Sequence, residues 1–375
     1  MAKKIKKIAS NHINSLEIKN FKSIKHMKIE PKRINLFIGR PNVGKSNVLE
    51  GISLLSGYYS TRIHNNGTER KYLSDIIRYE QFDELFYDRY TGDAIEITSD
   101  LVCATVTHQY NPGYYHYLIS DDKEVRSLLG DPSTLEEIKK NLNEYYNARL
   151  KEGITNRVTN SYQLIHQDGS VNLNDALLSV NNPIKKFDFI RQSSYPNRYH
   201  FYLLPPYGNN LYTVIKQNKK FQKEIAEIFQ EYKLDFVMKS HEAVFEIQKK
   251  VKNLATSFPY SGVADTLQRY IFHLAAIRSN QNSVLLFEEP EAHNFPAYIR
   301  KLAEDIIADE NNNQYFITTH SPFILNIILE NAKTEDIAVF KLDYKNYQTK
   351  AEPLSDKEIS NYLSFGTDIF FQLLK

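Results

Sequence analysis

Short apolar runs recur along the chain, and several of them end directly before residues with reactive side chains. The clearest is the continuous run at residues 284–287, and the stretches at 34–38 and 314–318 are mainly apolar. Continuous runs of this length are typical of strands that are buried on both faces of a parallel sheet. Residues 47–55 place apolar side chains at helical spacing and predict a helix directly after the first strand. The pattern therefore predicts an α/β fold, with a mixed β-sheet and flanking helices.

The rest of the pattern predicts a discontinuous head and an insertion. Residues 1–119 and 255–375 contribute the strands and covering helices of the head. Residues 120–254 are predicted to form a mainly helical lid or arm, in which two prolines and a glycine at 202–210 force a turn. No heptad repeat is sustained, so we expect no long coiled coil. Further strands are predicted at 16–18, 27–29, 95–106 and 114–119, and further helices at 133–149, 219–232 and 267–277.

The segment after the first strand reads GRPNVGKS and fits the spacing G-x-x-x-x-G-K-[ST] of a phosphate-binding loop without a mismatch. Its glycines permit backbone angles that turn successive N–H groups toward phosphate oxygens at a helix N-terminus. Lys45 would reach the β- and γ-phosphates, and Ser46 would ligate Mg²⁺. A plain glycine turn would explain the glycines but not the Lys-Ser pair. The expected nucleotide-binding residues here are Gly39, Asn42, Gly44, Lys45, Ser46 and Asn47.

The same loop also resembles the first motif of the translational-type GTPases, so the choice of nucleotide depends on the rest of the chain. A GTPase needs a D-x-x-G segment to hold the γ-phosphate, and no Asp stands three residues before any of the 13 glycines. The guanine-binding N-K-x-D is also absent, because Asn218-Lys219-Lys220-Phe221 has Phe in place of the carboxylate. We therefore expect ATP as the nucleotide.

Two carboxylates follow the apolar run at 284–287, where the tip of the strand would lie beside the phosphate loop. Glu288 and Glu289 would repel each other without a cation, and Mg²⁺ bound with ATP would relieve that repulsion. We assign Glu288 to the Mg²⁺ site, through the water shell of the metal, and Glu289 to polarising the attacking water. The alternative interpretation is a solvated acidic turn that includes Glu291.

A histidine follows the apolar run at 314–318 in a similar way. A lone histidine is more often structural, but His320 comes after a strand and 31 residues beyond Glu289, which favours a functional role. Its imidazole would donate to an oxygen of the γ-phosphate. The expected catalytic residues are therefore Lys45, Glu289 and His320.

The order of these motifs resembles the ABC-like ATPases of the RecF, SMC (structural maintenance of chromosomes) and OLD (overcoming lysogenization defect) group. The phosphate loop, LLFEEPEAH at 285–293 and ITTHSP at 317–322 support the resemblance, and Asn20-Phe21-Lys22-Ser23 looks like the opening N-F-[RK]-S motif of the group. The resemblance implies a P-loop ATPase head that binds ATP between two copies, and hence an ATP-linked homodimer or higher oligomer.

The resemblance also implies a segment that closes over ATP held by the other copy. Ser261 and Gly262, ahead of the helix at 267–277, are the best candidates, although a Ser-Gly pair by itself would be a common helix cap. A phosphate from the partner would then bind the Ser261 hydroxyl and the Gly262 N–H at a helix start.

The chain departs from the typical sequences of the group in three respects. Glu288 stands where Asp is more typical of the cassette strand, although a Glu-Glu pair is familiar among the OLD ATPases. The glutamine that senses Mg²⁺ remains open between Gln81 and Gln109. His293 begins a segment, His-Asn-Phe-Pro, where relatives often have His-Leu-His-Pro.

Composition supports a soluble globular protein with a head and a second lobe, since 42% of the 375 residues are hydrophobic and 25% are charged. A single cysteine, Cys103, excludes a disulfide within the chain and a thiolate metal site. No apolar run approaches the roughly 18 residues of a membrane span, and no secretory signal follows the charged N-terminus. We therefore expect a cytoplasmic protein without a membrane partner.

Charge is unevenly distributed although the net charge is only +2. Residues 1–35 contain ten Lys or Arg against Glu17 and Glu30. Such a region could bind DNA phosphates in a salt-dependent way, but basic N-terminal arms are often merely solvated. The basic region is therefore compatible with DNA binding and also with simple exposure to solvent.

Two functions are compatible with these motifs. The first is an ATPase that dimerises with ATP and drives or gates a DNA- or nuclease/effector-linked process, such as antiphage defence or DNA repair. The second is an ATP-dependent regulatory scaffold that controls a toxic partner protein without direct DNA contact. OLD relatives have a Toprim nuclease domain after the ATPase, and the 55 residues after His320 are too few for one, so we expect any nuclease to be a separate partner.

Overall fold

A computed structural model of the chain describes residues 10–56, 73–109, 113–120, 161–167, 183–196, 200–252 and 254–365, together with positions 140, 144 and 148. The strands, in chain order, are β1 (Leu16–Phe21), β2 (Ile24–Ile29), β3 (Ile34–Gly39), β4 (Ile95–Ser99), β5 (Cys103–Gln109), β6 (Tyr114–Ser120), β7 (Ser161–Ile165), β8 (Ile184–Phe187), β9 (Asp235–Lys239), β10 (Val244–Val251), β11 (Leu254–Pro259), β12 (Val284–Glu288), β13 (Gln314–Thr318), β14 (Ile337–Lys345) and β15 (Gln348–Pro353). The helices are α1 (Lys45–Leu54), α2 (Leu211–Gln217), α3 (Lys219–Gln230), α4 (Asp265–Ser279), α5 (Pro296–Ile307), α6 (Pro322–Asn331) and α7 (Asp356–Phe365).

A mainly parallel sheet forms the centre of the molecule. Its strand order is β15-β14-β3-β13-β12-β8, and β15, at one edge, is the strand that runs antiparallel to its neighbour. The strands predicted from continuous apolar runs, β3, β13 and β12, are adjacent in that order. Phe37 lies beside Thr318 in the register, and Thr318 lies beside Glu288. The carboxyl ends of these three strands therefore meet at one edge of the sheet.

Side chains of this sheet alternate between two hydrophobic cores. Phe37, Leu286 and Phe316 belong to a core that also contains α1 and the second sheet. Leu36 and Phe287 belong to the opposite core, which is filled from the other side by α2 to α6. Because both faces of the strands are covered, their sequences are mainly apolar without regular alternation, and even their polar residues Asn35, Gln314 and Thr318 are buried.

The second sheet is antiparallel, with the order β2-β1-β4-β5-β6-β7. The strands predicted at 16–18, 27–29 and 114–119 are confirmed as parts of β1, β2 and β6. The single strand predicted at 95–106 is wrong, since β4 and β5 form a hairpin. Ser99 stabilises its turn, because its hydroxyl donates to the Val102 carbonyl at 2.7 Å and accepts from the Val102 N–H at 3.0 Å.

The insertion predicted at 120–254 differs from the structure. β7 pairs with β6, and β8 pairs in parallel with β12, so two segments of the predicted insertion are strands of the main sheets. The apolar pattern does not reveal β8, which reads Ile-Lys-Lys-Phe, because Lys186 is buried by pairing with acidic groups. The described part of 120–254 is also not mainly helical, since β9, β10 and β11 form a third sheet beside α2 and α3. The helix predicted at 133–149 lies outside the described residues except for its three helical positions 140, 144 and 148.

The remaining predicted helices are present. α3 and α4 confirm the helices predicted at 219–232 and 267–277, and α1 confirms the helix predicted at 47–55. α6 begins directly after His320, since the Ser321 hydroxyl accepts from the Phe323 N–H at 3.2 Å and Pro322 occupies the first turn. In the part of the chain that the structure describes, no helix has the length and apolar character to cross a bilayer.

Candidate functional site

The loop between β3 and α1 depends on glycine at both of its ends. Gly44 has φ 91°, in the left-handed region, and is the N-cap residue of α1. A Cβ on Gly39 would lie 2.6 Å from the carbonyl oxygen of Leu342, which is closer than real Cβ contacts. Asn42, between them, also has a positive φ of 67°. The loop therefore has a tight turn that opens onto the N-terminus of a helix.

Lys45 is the first residue of α1, and its side chain folds back into the loop. Its Nζ donates to the carbonyl oxygens of Gly39 at 2.9 Å and of Arg40 at 2.8 Å. Only 5% of the residue is exposed. Burial lowers the pKa of the Lys45 ammonium to about 8, and the Glu289 carboxylate partly opposes this shift. The loop therefore holds a shielded amine at the position expected for phosphate binding.

Glu288 is the last residue of β12, and its carboxylate lies beside the start of α1. The Ser46 hydroxyl bonds to it, Arg78 Nη2 donates to Oε1 at 2.6 Å, and Lys186 Nζ lies 3.6 Å from Oε2. Burial raises the pKa of Glu288, but Lys186, Ser46 and Arg78 outweigh burial and hold it below the usual range. Hydroxyl and carboxylate oxygens are ligands that Mg²⁺ accepts. Ser46 and Glu288 therefore fit a magnesium site that nucleotide phosphates would complete.

Glu289 and His320 face each other across the ends of β12 and β13. Glu289 has a positive φ of 44°, and its N–H donates to the carbonyl oxygen of Thr318 at 3.0 Å. His320 Nε2 lies 3.3 Å from Glu289 Oε1. Burial and the charge of Lys45 lower the pKa of His320, although Glu289 opposes them. The structure thus brings together Lys45, Glu289 and His320, the three residues that the sequence assigns to catalysis.

Glu291 is buried, and the interpretation of a solvated acidic turn is wrong for this residue. Its Oε1 accepts from the Thr319 hydroxyl at 2.5 Å and from the His320 N–H at 3.1 Å. Burial raises the pKa of Glu291, while the bonds from Thr319 and His320 oppose this shift. Glu291 therefore fixes the backbone that presents His320.

The Asn-Phe-Lys-Ser segment supports the phosphate loop from outside. The Ser23 and Thr349 hydroxyls lie 2.6 Å apart, and Thr349 Oγ1 donates to the carbonyl oxygen of Val43 at 2.9 Å. Asn47 Nδ2 donates to Ser23 Oγ at 2.7 Å, so this predicted nucleotide-binding side chain is engaged in bracing the loop. A Cβ on Gly44 would collide with Thr349, which explains the glycine there in addition to its φ. The sequence gives no signal for Thr349.

Ser261 and Gly262 do not lie at a helix start as the sequence predicts. They belong to a 3-10 turn, Tyr260–Gly262, and α4 begins only at Asp265, after two non-helical residues. Gln268 Nε2 donates to the carbonyl oxygen of Val263 at 2.7 Å and so ties this turn to α4. Gly262 is exposed, and a Cβ there would meet no heavy atom within 4 Å. The turn therefore presents an open surface.

The metal-sensing glutamine remains unassigned. Gln81 is exposed, and its Oε1 accepts from Arg89 Nη2 at 2.8 Å. Gln109 ends β5 and lies opposite Tyr114 in the β5–β6 hairpin. The Gln81 side chain is thus engaged by Arg89.

The basic N-terminal region is partly neutralised within the protein. Residues 1–9, with four of its lysines, lie outside the described residues. Lys22 pairs with the buried Glu50, and Lys19 Nζ lies 3.4 Å from Glu96 Oε2. Arg33 Nη2 donates to the carbonyl oxygen of Ile307 at 2.8 Å. These three cations have structural partners.

Comparison of the sequence with known proteins identifies a family and a relative. The chain matches the family described as "AAA ATPase domain" over residues 12–110 and 91–325. A protein of Helicobacter pylori described as "ATP/GTP phosphatase" is 24% identical over 353 residues, which covers 87% of this chain and 90% of that protein.

Solved SMC heads are structurally similar to the chain. The SMC head bound to the C-winged helix domain of ScpA gives a TM-score of 0.48 at 14% identity, covering 93% of this chain and 99% of that chain. An SMC head from Pyrococcus furiosus with an extended coiled coil gives a TM-score of 0.46 at 12% identity, covering 95% of this chain and 100% of that chain. Because both TM-scores lie below 0.5, the family assignment rests on the sequence match. That match spans most of the 375 residues, so the chain belongs to the AAA ATPase domain family.

Proposed function

We propose that the protein is a Mg²⁺-dependent ATPase whose cycle opens and closes a dimer, and that this cycle drives or gates a DNA- or nuclease/effector-linked process. The observation that supports the chemistry is the meeting of Lys45, Ser46, Glu288, Glu289 and His320 at the carboxyl edge of β3, β12 and β13. The proposed dimer and the proposed DNA or effector partner rest on the sequence motifs that resemble those of the RecF, SMC and OLD group.

ATP binding is assigned to the phosphate loop. α1 begins at Lys45 with Gly44 as its N-cap and no side chain capping it, and the dipole and free N–H groups of a helix N-terminus favour negative charge there. Lys45 exchanges its two carbonyl partners for β- and γ-phosphate oxygens. Mg²⁺, held by Ser46 and through water by Glu288, would neutralise the charge on the phosphates. Asn47 contributes by fixing the loop against Ser23.

Hydrolysis is assigned to Glu289 and His320. The Glu289 carboxylate lies at the tip of β12, where it polarises a water molecule for attack on the γ-phosphate. The lowered pKa of His320 keeps its imidazole neutral near pH 7, so that it holds one N–H to donate to a phosphate oxygen. Glu291 stabilises this arrangement, because it binds the backbone of His320.

The contact between the two copies of the dimer is assigned to the open turn that contains Ser261 and Gly262. The Thr266 hydroxyl, at the start of α4, donates to the carbonyl oxygen of His293 at 3.1 Å, so the turn is linked to the segment that follows the carboxylates. Contact of this turn with ATP on a second copy would couple assembly to nucleotide state.

ATPase measurements with and without DNA over a range of salt concentrations test the DNA part of the proposal. Stimulation by DNA that falls as salt rises is the expected result, because phosphate contacts are salt-dependent. The Glu289→Gln variant controls for contaminating hydrolysis and should hydrolyse ATP far more slowly in both conditions. No effect of DNA at any salt concentration would favour the regulatory scaffold, an alternative supported by the internal pairing of Lys19, Lys22 and Arg33.

A further inference from the structure

A chain of alternating charges links the proposed metal site to the segment between α1 and β4. It begins at Lys22 in the turn after β1, crosses α1 and the strand β12, and ends after β8. Its positive and negative side chains are equal in number, so the chain is neutral as a whole. In order they are Lys22, Glu50, Arg78, Glu288, Lys186 and Asp188.

Arg78 is the central link of this chain. Its Nε donates to Glu50 Oε1 at 2.8 Å, while its Nη2 donates to Glu288 Oε1 at 2.6 Å. The Glu50 side chain is fully buried, and that of Arg78 is 65% exposed. Glu50 stands four residues after Ser46 on α1, which places both on the face of the helix toward Glu288. One guanidinium thus bridges a buried anchor and the proposed metal ligand.

A metal ion at Glu288 would disturb the contact between Arg78 and Glu288. Lys186 already lies 3.6 Å from the second oxygen of Glu288, so the carboxylate has a cation on each side. A divalent cation brought to Oε1 or to its water shell would repel a guanidinium at 2.6 Å. The anchor at Glu50 would be unaffected, because it uses a different nitrogen of Arg78.

We propose that Arg78 is a positioning residue that competes with Mg²⁺ for Glu288, so that metal loading releases Nη2 from Glu288 while Nε keeps the side chain attached to Glu50. This inference rests on the proposed role of Glu288 in the metal site. The backbone of the segment between α1 and β4 is attached to the same chain of charges, because Lys186 Nζ donates to the carbonyl oxygen of Ile76 at 2.9 Å and Lys22 Nζ to that of Arg78 at 2.5 Å. Release of Arg78 from Glu288 removes one attachment of the segment and rearranges the charges that hold the others. The segment beginning at Leu73 thus reports the metal state of the site.

Manganese binding in the presence of a saturating non-hydrolysable ATP analogue, followed by the paramagnetic resonance of free Mn²⁺, tests the competition. Arg78→Gln should bind Mn²⁺ about fivefold more tightly, as expected for the loss of a partly exposed ion pair. Arg89→Gln is the matched control, since it removes the same charge from the same segment but from a pair with Asp83 at 3.0 Å. Arg89→Gln should leave the Mn²⁺ affinity unchanged. Equal or weaker binding by Arg78→Gln than by Arg89→Gln would overturn the proposal.

Hydrogen exchange of the unmodified protein gives a second test that does not depend on the folding of a variant. Adding Mn²⁺ with the analogue should speed amide exchange in peptides spanning residues 76–81 relative to the analogue alone. Unchanged or slower exchange there would contradict the release of Arg78. Glu288→Gln separates this inference from the proposed function. If that variant binds Mn²⁺ normally, the metal site itself is wrongly assigned.

Discussion

Lys45 places an amine where water has little access and where backbone carbonyl oxygens are its nearest partners. Such an environment disfavours the charged form unless an anion is near, and burial accordingly lowers the pKa of this group to about 8. Phosphate oxygens would supply that anion. The strength of ATP binding should therefore depend on Lys45 more than on any other single side chain of the loop.

Replacement of Lys45 by Ala should abolish ATP binding, because the γ-phosphate would lose the cation that neutralises it. Titration calorimetry with ATP and Mg²⁺ measures this directly. Arg40→Ala is the control, since the Arg40 guanidinium is paired with Asp343 at 3.2 Å and Lys45 uses only the backbone carbonyl of Arg40. That variant should still bind. Undiminished affinity of Lys45→Ala would show that the loop does not hold the phosphates.

The pH dependence of ATP binding should report the titration of Lys45. In the free protein the amine loses its proton above about pH 8, whereas phosphate oxygens favour the charged form and raise the pKa of the complex. Binding above this pH should therefore take up a proton, and the ATP affinity should fall by up to about tenfold per pH unit. Calorimetry at pH 9 in two buffers of different ionisation enthalpy measures the uptake. Binding without proton uptake would contradict the assignment of Lys45.

The role of a site residue could be predicted from the sequence where it depends on local spacing. It could not be predicted where it depends on contacts between distant parts of the chain. Lys45 and Glu288 follow from the order of apolar run, glycine and charge. Arg78 and Thr349 touch the same site from segments without a recognisable pattern, 210 residues from Glu288 and 306 residues from Val43 respectively. Their roles are determined by the packing of strands that the sequence alone does not pair.

At the level of elements, the site exists because three parallel strands end at the same edge of a sheet. The sequence predicts β3, β12 and β13 since burial on both faces requires continuous apolar residues. The same logic misses β8, because Lys185 and Lys186 occupy its centre. Lys186 is nonetheless buried, since Asp188 and Glu288 lie near its amine at 3.2 and 3.6 Å. Charged residues that belong to the site thus interrupt the apolar pattern by which β8 would be recognised in the sequence.

β15 stabilises the phosphate loop through a single buried hydroxyl, which can be removed with little change in shape. Thr349→Val should lower the free energy of unfolding by about 1–3 kcal/mol, because the Val43 carbonyl and the Ser23 hydroxyl would each lose a partner. It should also weaken ATP binding, since the loop would be less firmly held. Urea denaturation and calorimetry measure the two effects.

Thr349→Ser is the control for this change, as it keeps the hydroxyl and removes only a methyl group. It should preserve ATP affinity better than Thr349→Val does. If Thr349→Ser, which keeps the hydroxyl, binds ATP less tightly than Thr349→Val, which keeps the methyl group, packing of the methyl group supports the loop more than the hydrogen bonds do.

At the level of the whole molecule, the mainly parallel sheet separates two hydrophobic cores, and the proposed nucleotide site lies where its strands β3, β12 and β13 end. The sequence predicts the head but misplaces the limits of the insertion, since β7 and β8 belong to the main sheets. The partner of the open turn at Ser261 and Gly262 is a second copy in our proposal. That proposal makes ATP a ligand of the dimer, so association must follow the nucleotide.

Glu289→Gln should bind ATP, hydrolyse it far more slowly and accumulate the closed dimer, because it keeps the size of the side chain but loses the charge that polarises water. Adding Ser261→Arg should reverse the accumulation, since bulk and charge would enter the interface while the phosphate loop of the same copy is unchanged. Sedimentation velocity of both variants with and without ATP and Mg²⁺ distinguishes the outcomes. If Glu289→Gln has the same association state in either condition, or if Ser261→Arg has no effect on it, the two-headed mechanism fails. What would remain is an ATPase that works within one copy, and the exposed Gly262 turn would then need a different ligand.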